Sequence, residues 1–271
     1  SLRGTNVINQ IEKLTGVRLS LKDMFSNPTV KGLSSLVQVD NHSYVPIPKA
    51  EIRKAYPMSS GQRRLFFIND LDDVGTTYNM TYGTEVIGKL DYDKVKQVCN
   101  EIVQRHDILR THFSIQNGEA VQIIDEKVEL NFEGQEEKEL SEDQKKQLLS
   151  DFIRPFDLSK APLFRIKVIK VESGNDLLFF DLHHIIVDGI SISIIVEEFT
   201  KLYAGKELEK PEIQFVDYCE WVSKRDLAGQ RDFWLKELEH YPALDLPLDY
   251  KRPQIQCFKG KSVECIVNKE M

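Results

Sequence analysis

Residues 177–189 read Leu-Leu-Phe-Phe-Asp-Leu-His-His-Ile-Ile-Val-Asp-Gly, and they decide how the chain is understood. An apolar run of this length, closed by a turn signal, reads as a buried strand. It ends in two adjacent histidines, His183 and His184, with Asp188-Gly189 just beyond. Successive side chains on a strand point to opposite faces, so the two imidazoles cannot share one cavity. One is held inside the fold and the other is free to address a substrate. Asp188 stands where it can pair with a cation or orient an imidazole, and Gly189 permits close backbone approach. The bland alternative is a core histidine followed by a turn that caps a helix. A metal site of two histidines and one carboxylate fits poorly, because strand neighbours diverge and no further ligand cluster stands elsewhere.

Outward from this stretch, strands and helices alternate. Ile192, Ile195, Phe199 and Leu202 mark one face of a helix ending near Gly205. Residues 162–171 and 177–184 read as strands around a Ser173-Gly174-Asn175 turn, and 82–90 as another strand. Asp91 is the expected N-cap of a helix reaching about Arg105, with Val95, Val98, Ile102 and Val103 on its buried face. Residues 111–124 read as a hairpin turning at Asn117-Gly118. Residues 133–143 are acidic and read as solvated surface, and 141–153 as a helix with Glu142 and Asp143 near its positive end. Helices are also expected over 215–222 and 231–239, with Trp221 and Trp234 as packing anchors. The class is α/β.

The first 38 residues form a separate helical piece. Val7, Ile8, Ile11 and Leu14 keep helical spacing before Gly16, a C-cap candidate. Asn27-Pro28 offers a cap and a first helical residue for the stripe Val30, Leu33, Leu36 and Val37. Residues 39–54, with Pro46 and Pro48, read as a stiff linker. The net charge of -7 gives no electrostatic reason to expect nucleic-acid binding. The 4 cysteines have neither zinc spacing nor a secreted disulfide pattern, although Cys257 and Cys265 can pair if strands bring them together. Neither a signal peptide nor a membrane-length apolar run is present, so the expected setting is cytoplasmic.

His183-His184-x-x-x-Asp188-Gly189 resembles the signature of nonribosomal peptide synthetase condensation domains and of their chloramphenicol-acetyltransferase-like relatives. The resemblance extends along the chain. Residues 56–66, Tyr-Pro-Met-Ser-Ser-Gly-Gln-Arg-Arg-Leu-Phe, are similar to the opening motif Ser-x-Ala-Gln-x-Arg-Leu-Trp, with Gly61 for Ala and Phe66 for the usual aromatic. Residues 105–113, Arg-His-Asp-Ile-Leu-Arg-Thr-His-Phe, resemble the second motif, with Asp107 for Glu. Residues 215–221, Phe-Val-Asp-Tyr-Cys-Glu-Trp, resemble the fourth. Residues 1–38 are similar to the last three helices of a peptidyl carrier domain, and Ser1-Leu2 matches its phosphopantetheine attachment step.

The resemblance implies a chloramphenicol-acetyltransferase-like α/β sandwich lobe over residues 55–271, running into the start of the crossover, with the second lobe absent. It follows the linker and the all-α carrier remnant. The implied reaction is attack of a carrier-bound amine on an upstream carrier-bound thioester. His184 is the implied catalytic residue, and His183 supplies shape and hydrogen bonding. Asp188 is expected to pair with a buried arginine, Arg105 first and Arg110 second. Gly189 is expected to keep the mouth open, and Arg64 to line the site unless it is merely solvated. Phosphopantetheine on carriers is the implied prosthetic group, with no metal or nucleotide. The implied partners are the upstream and downstream carrier domains and adenylation domains, with no nucleic acid and no membrane. An epimerization domain of the same fold and a catalytically incomplete carrier-docking piece are the alternatives.

Overall fold

The computed structural model describes residues 2–37, 46–71, 74–242, 244–251 and 265, and divides into two compact units, Ser1–Pro48 and Lys49–Met271. The expected attachment residue Ser1 and the cysteine Cys257 lie outside the described residues.

The first unit has three helices, α1 (Leu2–Thr15), α2 (Leu21–Ser26) and α3 (Val30–Val37). Gly16 ends α1 at φ +72°, its N–H donating to the Glu12 carbonyl, as a left-handed C-cap requires. Helix α2 has no apolar periodicity to announce it. Its signal is the reciprocal cap of Ser20 and Asp23. This moves the expected start of α3: Asn27 closes α2, and the Thr29 hydroxyl accepts the Gly32 N–H instead.

The second unit is built around a four-stranded sheet in the order β2–β7–β6–β5, comprising β2 (Asn79–Val86), β5 (Asn131–Glu137), β6 (Phe164–Val171) and β7 (Asp176–His183). Pairing is antiparallel except between β5 and β6, which run parallel. Every residue of β7 is buried. Leu178, Phe180 and Leu182 pack with α5 (Tyr92–Arg105) and α7 (Gly189–Tyr203). Leu177 and Phe179 pack on the other face with Phe152, Leu148 and Leu149 of α6 (Glu142–Phe152). This is a sheet between helical layers, as the alternation of elements implied.

A smaller antiparallel sheet joins β1 (Tyr56–Pro57), β4 (Glu119–Ile124) and β3 (Thr111–Gln116). The β3–β4 turn is Asn117-Gly118, both residues at positive φ, so the Gln116–Glu119 pair closes a two-residue loop. Asp91 caps α5 by accepting the Lys94 N–H at 3.0 Å, and Ser141 caps α6. The remaining helices are α4 (Ser60–Leu71), α8 (Phe215–Ser223) and α9 (Ala228–Glu237).

Three sequence expectations change. The strand expected over 82–90 starts and ends earlier, because pairing with β7 sets its register and Gly88, at φ +99°, breaks the extended run. The acidic segment 133–143 contains part of an edge strand, β5, where backbone pairing tolerates charged side chains. Trp234 is 60% exposed, so it anchors no packing among the described residues.

Asp176 locks the sheet's edge to the neighbouring loop. Its buried carboxylate accepts the Leu90 N–H at 2.7 Å and the Val171 N–H at 2.9 Å, beside Lys89. Asp176→Asn replaces one acceptor with a donor facing an N–H, and is expected to cost about 2–3 kcal/mol in urea unfolding with an unchanged m-value. A loss within experimental error would remove the carboxylate from the stability of this corner.

Candidate functional site

Alternation along β7 separates the two histidines. His183 shares a face with Leu177, Phe179 and Asp181, and is 3% exposed. Its Nδ1 accepts the Ile185 N–H at 3.1 Å, which makes Nδ1 the bare nitrogen of a neutral ring. The ring lies beside Tyr78 and meets Phe156 edge-on, with centroids 6.2 Å apart. Burial first, and the neighbouring His184 second, push its pKa down to about 4.

His184 takes the opposite direction and is exposed. Its backbone N–H is tied to the Tyr78 carbonyl at 2.8 Å, and the chain then turns towards α7. The ring Nδ1 lies 2.8 Å from the Val187 carbonyl oxygen. A carbonyl only accepts, so Nδ1 carries the proton and donates it there. In the neutral ring Nε2 is therefore the nitrogen with the free lone pair. One backbone carbonyl, three residues on, sets both ring orientation and tautomer.

The cleft beside His184 has a volume of about 360 Å³. Its walls come from Gly61, Gln62 and Leu65 of α4, His106 and Ile108, residues 184–188 with Ser191, and Ile213, Gln214 and Phe215. The wall is mostly apolar, with a few convergent polar groups, as small-molecule sites usually are. Gln62 is 3% exposed, its side-chain oxygen accepting the Ser59 N–H at 2.9 Å. Among the described residues no three His, Cys, Asp or Glu side chains are grouped to hold a metal ion.

The expected arginine partner of Asp188 is corrected. Asp188 is exposed and caps α7, its Oδ1 accepting both the Ser191 N–H at 2.8 Å and the Ser191 hydroxyl at 2.7 Å. These bonds hold its carboxyl below the ordinary value. Arg105 instead donates from Nε to Glu198 Oε1 of α7 at 2.9 Å, and His106 Nε2 donates to Glu198 Oε2 at 2.6 Å. Arg110 turns away to Asp107 and to the carbonyls of Val103 and Asp125. A buried carboxylate–arginine pair does exist, but it is Asp181 with Arg165, at 3.6 Å, on the His183 face. Thr81 and Asn79 also donate to Asp181, at 2.8 Å each. Arg165 stacks over the same Phe156 ring, 3.7 Å from its centroid.

Arg64 is exposed and stands off the cleft, because α4 turns residues 61, 62 and 65 inward and 63–64 outward. A Cβ on Gly189 would meet nothing within 4 Å, so its small size relieves no crowding among the described residues. The site also contains residues that sequence reasoning left unassigned: Gln62, His106 and Phe215 lie inside recognised motifs, whereas Ile213 and Gln214 had no signal.

The depressed His183 pKa links stability to pH. The unfolded ring takes a proton near its ordinary 6.5 and the folded ring only near 4. Stability from this group is thus complete above about pH 6.5 and drains as pH falls towards 4, by about 3 kcal/mol. His183→Gln, whose side-chain oxygen can still accept the Ile185 N–H, is expected to remove that component when urea unfolding is compared at the two pH values. An identical pH slope in variant and wild type would contradict it.

The condensation-domain family model matches residues 52–271. Surfactin synthase subunit 1 of Bacillus subtilis is 39% identical over 272 residues, covering 97% of this chain and 7% of that protein. The chain spans between 4% and 11% of the length of the curated relatives it matches. The starter condensation domain of rhizomide synthetase superposes with a TM-score of 0.61 at 18% identity, covering 70% of this chain and 49% of that one. The epimerization domain from the third module of tyrocidine synthetase B gives 0.63 at 22% identity, covering 77% and 50%. At these identities the two structures establish the shared chloramphenicol-acetyltransferase-like fold. No helix among the described residues is long and apolar enough to cross a membrane. With its motifs, sandwich fold and family match in agreement, the chain belongs to the condensation domains of nonribosomal peptide synthetases.

Proposed function

We propose that this domain forms peptide bonds, with the amine of a carrier-bound aminoacyl group attacking the thioester carbonyl of an upstream carrier. The observation that carries this reading is the His184 tautomer, whose Nδ1–H is committed to Val187 so that Nε2 is the available base. An α-amine must attack as the free base. Nε2 accepts a hydrogen bond from the amine N–H, orients its lone pair towards the carbonyl, and takes the proton as the C–N bond forms. Collapse of the tetrahedral intermediate breaks the C–S bond, and the departing thiolate recovers a proton. No acyl-enzyme is needed, since the thioester is already activated. Holding both substrates in one cleft contributes a large share of the rate.

His183 serves as a neutral spacer rather than a base: its burial, low pKa and Nδ1 contact support that role. Asp188 holds the turn by capping α7, and Gly189 leaves the space beside it clear. Arg105 and Arg110 support the site through Glu198 and Asp107, while Arg64 has the character of a solvated or partner-facing residue. Residues 1–38 are read as carrier-domain helices, a reading supported by relatives that align over 100% of the chain. Pantetheine arms then reach the cleft from carriers before and after this domain, and adenylation domains load them. Neither metal nor nucleotide enters the scheme, and the setting is cytoplasmic.

The test uses the intact parent synthetase, with an aminoacyl thioester on the upstream carrier and an acceptor on the downstream one. His184→Ala is expected to lower dipeptidyl transfer by about 10²–10⁴-fold, read by intact mass, with both carriers loaded and the domain folded. Undiminished transfer would remove His184 as an essential catalyst. No transfer in wild type, with α-proton exchange on the donor, would replace this reading with epimerization.

A further inference from the structure

Helix α8 joins two parts of the chain that no motif connects. Asp217, in its first turn and 6% exposed, divides its carboxylate between two segments. Oδ2 accepts the Gln214 N–H at 2.7 Å, closing the helix cap, and Oδ1 accepts the Ala50 N–H at 2.8 Å. One turn on, Glu220, 5% exposed, pairs with Arg53 Nη1 at 3.2 Å and with Lys224 at 2.8 Å. The Arg53 N–H donates to the Tyr56 phenol oxygen at 3.0 Å. Residues 50–56 are thus held at three points just before the second unit's first strand.

The other side of the same cap reaches the cleft. The Gln214 side chain accepts the Asp107 N–H through Oε1 and donates from Nε2 to the Arg105 carbonyl, each at 3.0 Å. Gln214 and Phe215 share the cleft wall with His184 and His106. Neither Asp217 nor Ala50 lines that cleft. Any influence they have on the reaction must pass through Gln214.

We propose that Asp217 is a positioning residue, seating the connector at Ala50 and thereby holding Gln214, and with it the cleft wall, in place. A buried carboxylate that loses one of its donors is left undersatisfied, and the cap it shares must relax. The connector between the two units is then more than a tether: displacing it is felt in the cleft. This rests on the condensation reading for its kinetic consequence, but the coupling itself is physical and is observable without turnover.

The test compares Ala50→Pro, which deletes the donor, with Ala50→Gly, which keeps it, in the intact parent synthetase. Two readouts are taken: kcat and KM for a soluble aminoacyl-pantetheine acceptor, and hydrogen exchange at the Asp107 amide. Ala50→Pro is expected to lower kcat roughly tenfold with KM within about twofold and melting unchanged, and to speed Asp107 exchange roughly tenfold. Ala50→Gly is expected to match wild type in both. Wild-type kcat together with unchanged Asp107 exchange in Ala50→Pro would overturn the proposal. If Ala50→Pro does not fold, Arg53→Ala decides by the same two readouts, with about a threefold change expected and no change counting against the proposal. Absence of transfer in wild type would sink the condensation reading alone, and the exchange result would still decide the coupling.

Discussion

The hydrogen bond from His184 Nδ1–H to the Val187 carbonyl is the constraint on which the site's chemistry turns. It exists only because β7 ends where it does. Period-two alternation sends His183 into the layer beneath α6 and releases His184 on the side of α5 and α7. The chain then folds back within four residues, bringing the Val187 carbonyl to the ring while Asp188 starts α7. A shift of β7 by one residue would exchange the two rings and bury the one that now meets the cleft. Register is held by ladders on both sides of β7, so the tautomer of one imidazole rests on the pairing of a whole strand.

Beneath that surface the fold handles its buried charges in pairs. Asp181 and Arg165 face each other across β6 and β7, with Thr81 and Asn79 completing the carboxylate's hydrogen bonds. Glu198 answers both Arg105 and His106, tying α7 to the end of α5. Such pairs contribute little net stability after desolvation, but removing one member is costly. Their effect here is geometric: they join the elements that carry cleft residues.

The parts of the fold governed by local rules were legible in sequence. The Asn117-Gly118 hairpin, the Asp91 cap and the buried stripe of α5 have signals confined to a few residues, and each appears as expected. The opposite burial of His183 and His184 followed from strand geometry alone. What was not legible depends on tertiary pairing. β5 is hidden because Glu133, Glu136 and Glu137 obscure a strand that only its ladder with β6 defines. The arginine partner was assigned to Asp188 because the sequence shows which charges exist and not which helix face they share. Glu198 lies on a helix the sequence does show, yet nothing local distinguishes it from Glu197, which pairs with Lys201 at the surface. Ile213 and Gln214 enter the cleft only because α8 packs beside the second motif.

The central claim is the protonation geometry of His184, and the direct measurement is ¹⁵N NMR of histidine-labelled protein at about pH 8, where a free imidazole is neutral. Two-bond nitrogen–proton correlations distinguish the tautomers. The account predicts that His184 carries its proton on Nδ1 and leaves Nε2 bare, while His183 shows the reverse. A His184 ring protonated on Nε2, with Nδ1 bare, would contradict it, because no lone pair would then face the incoming amine.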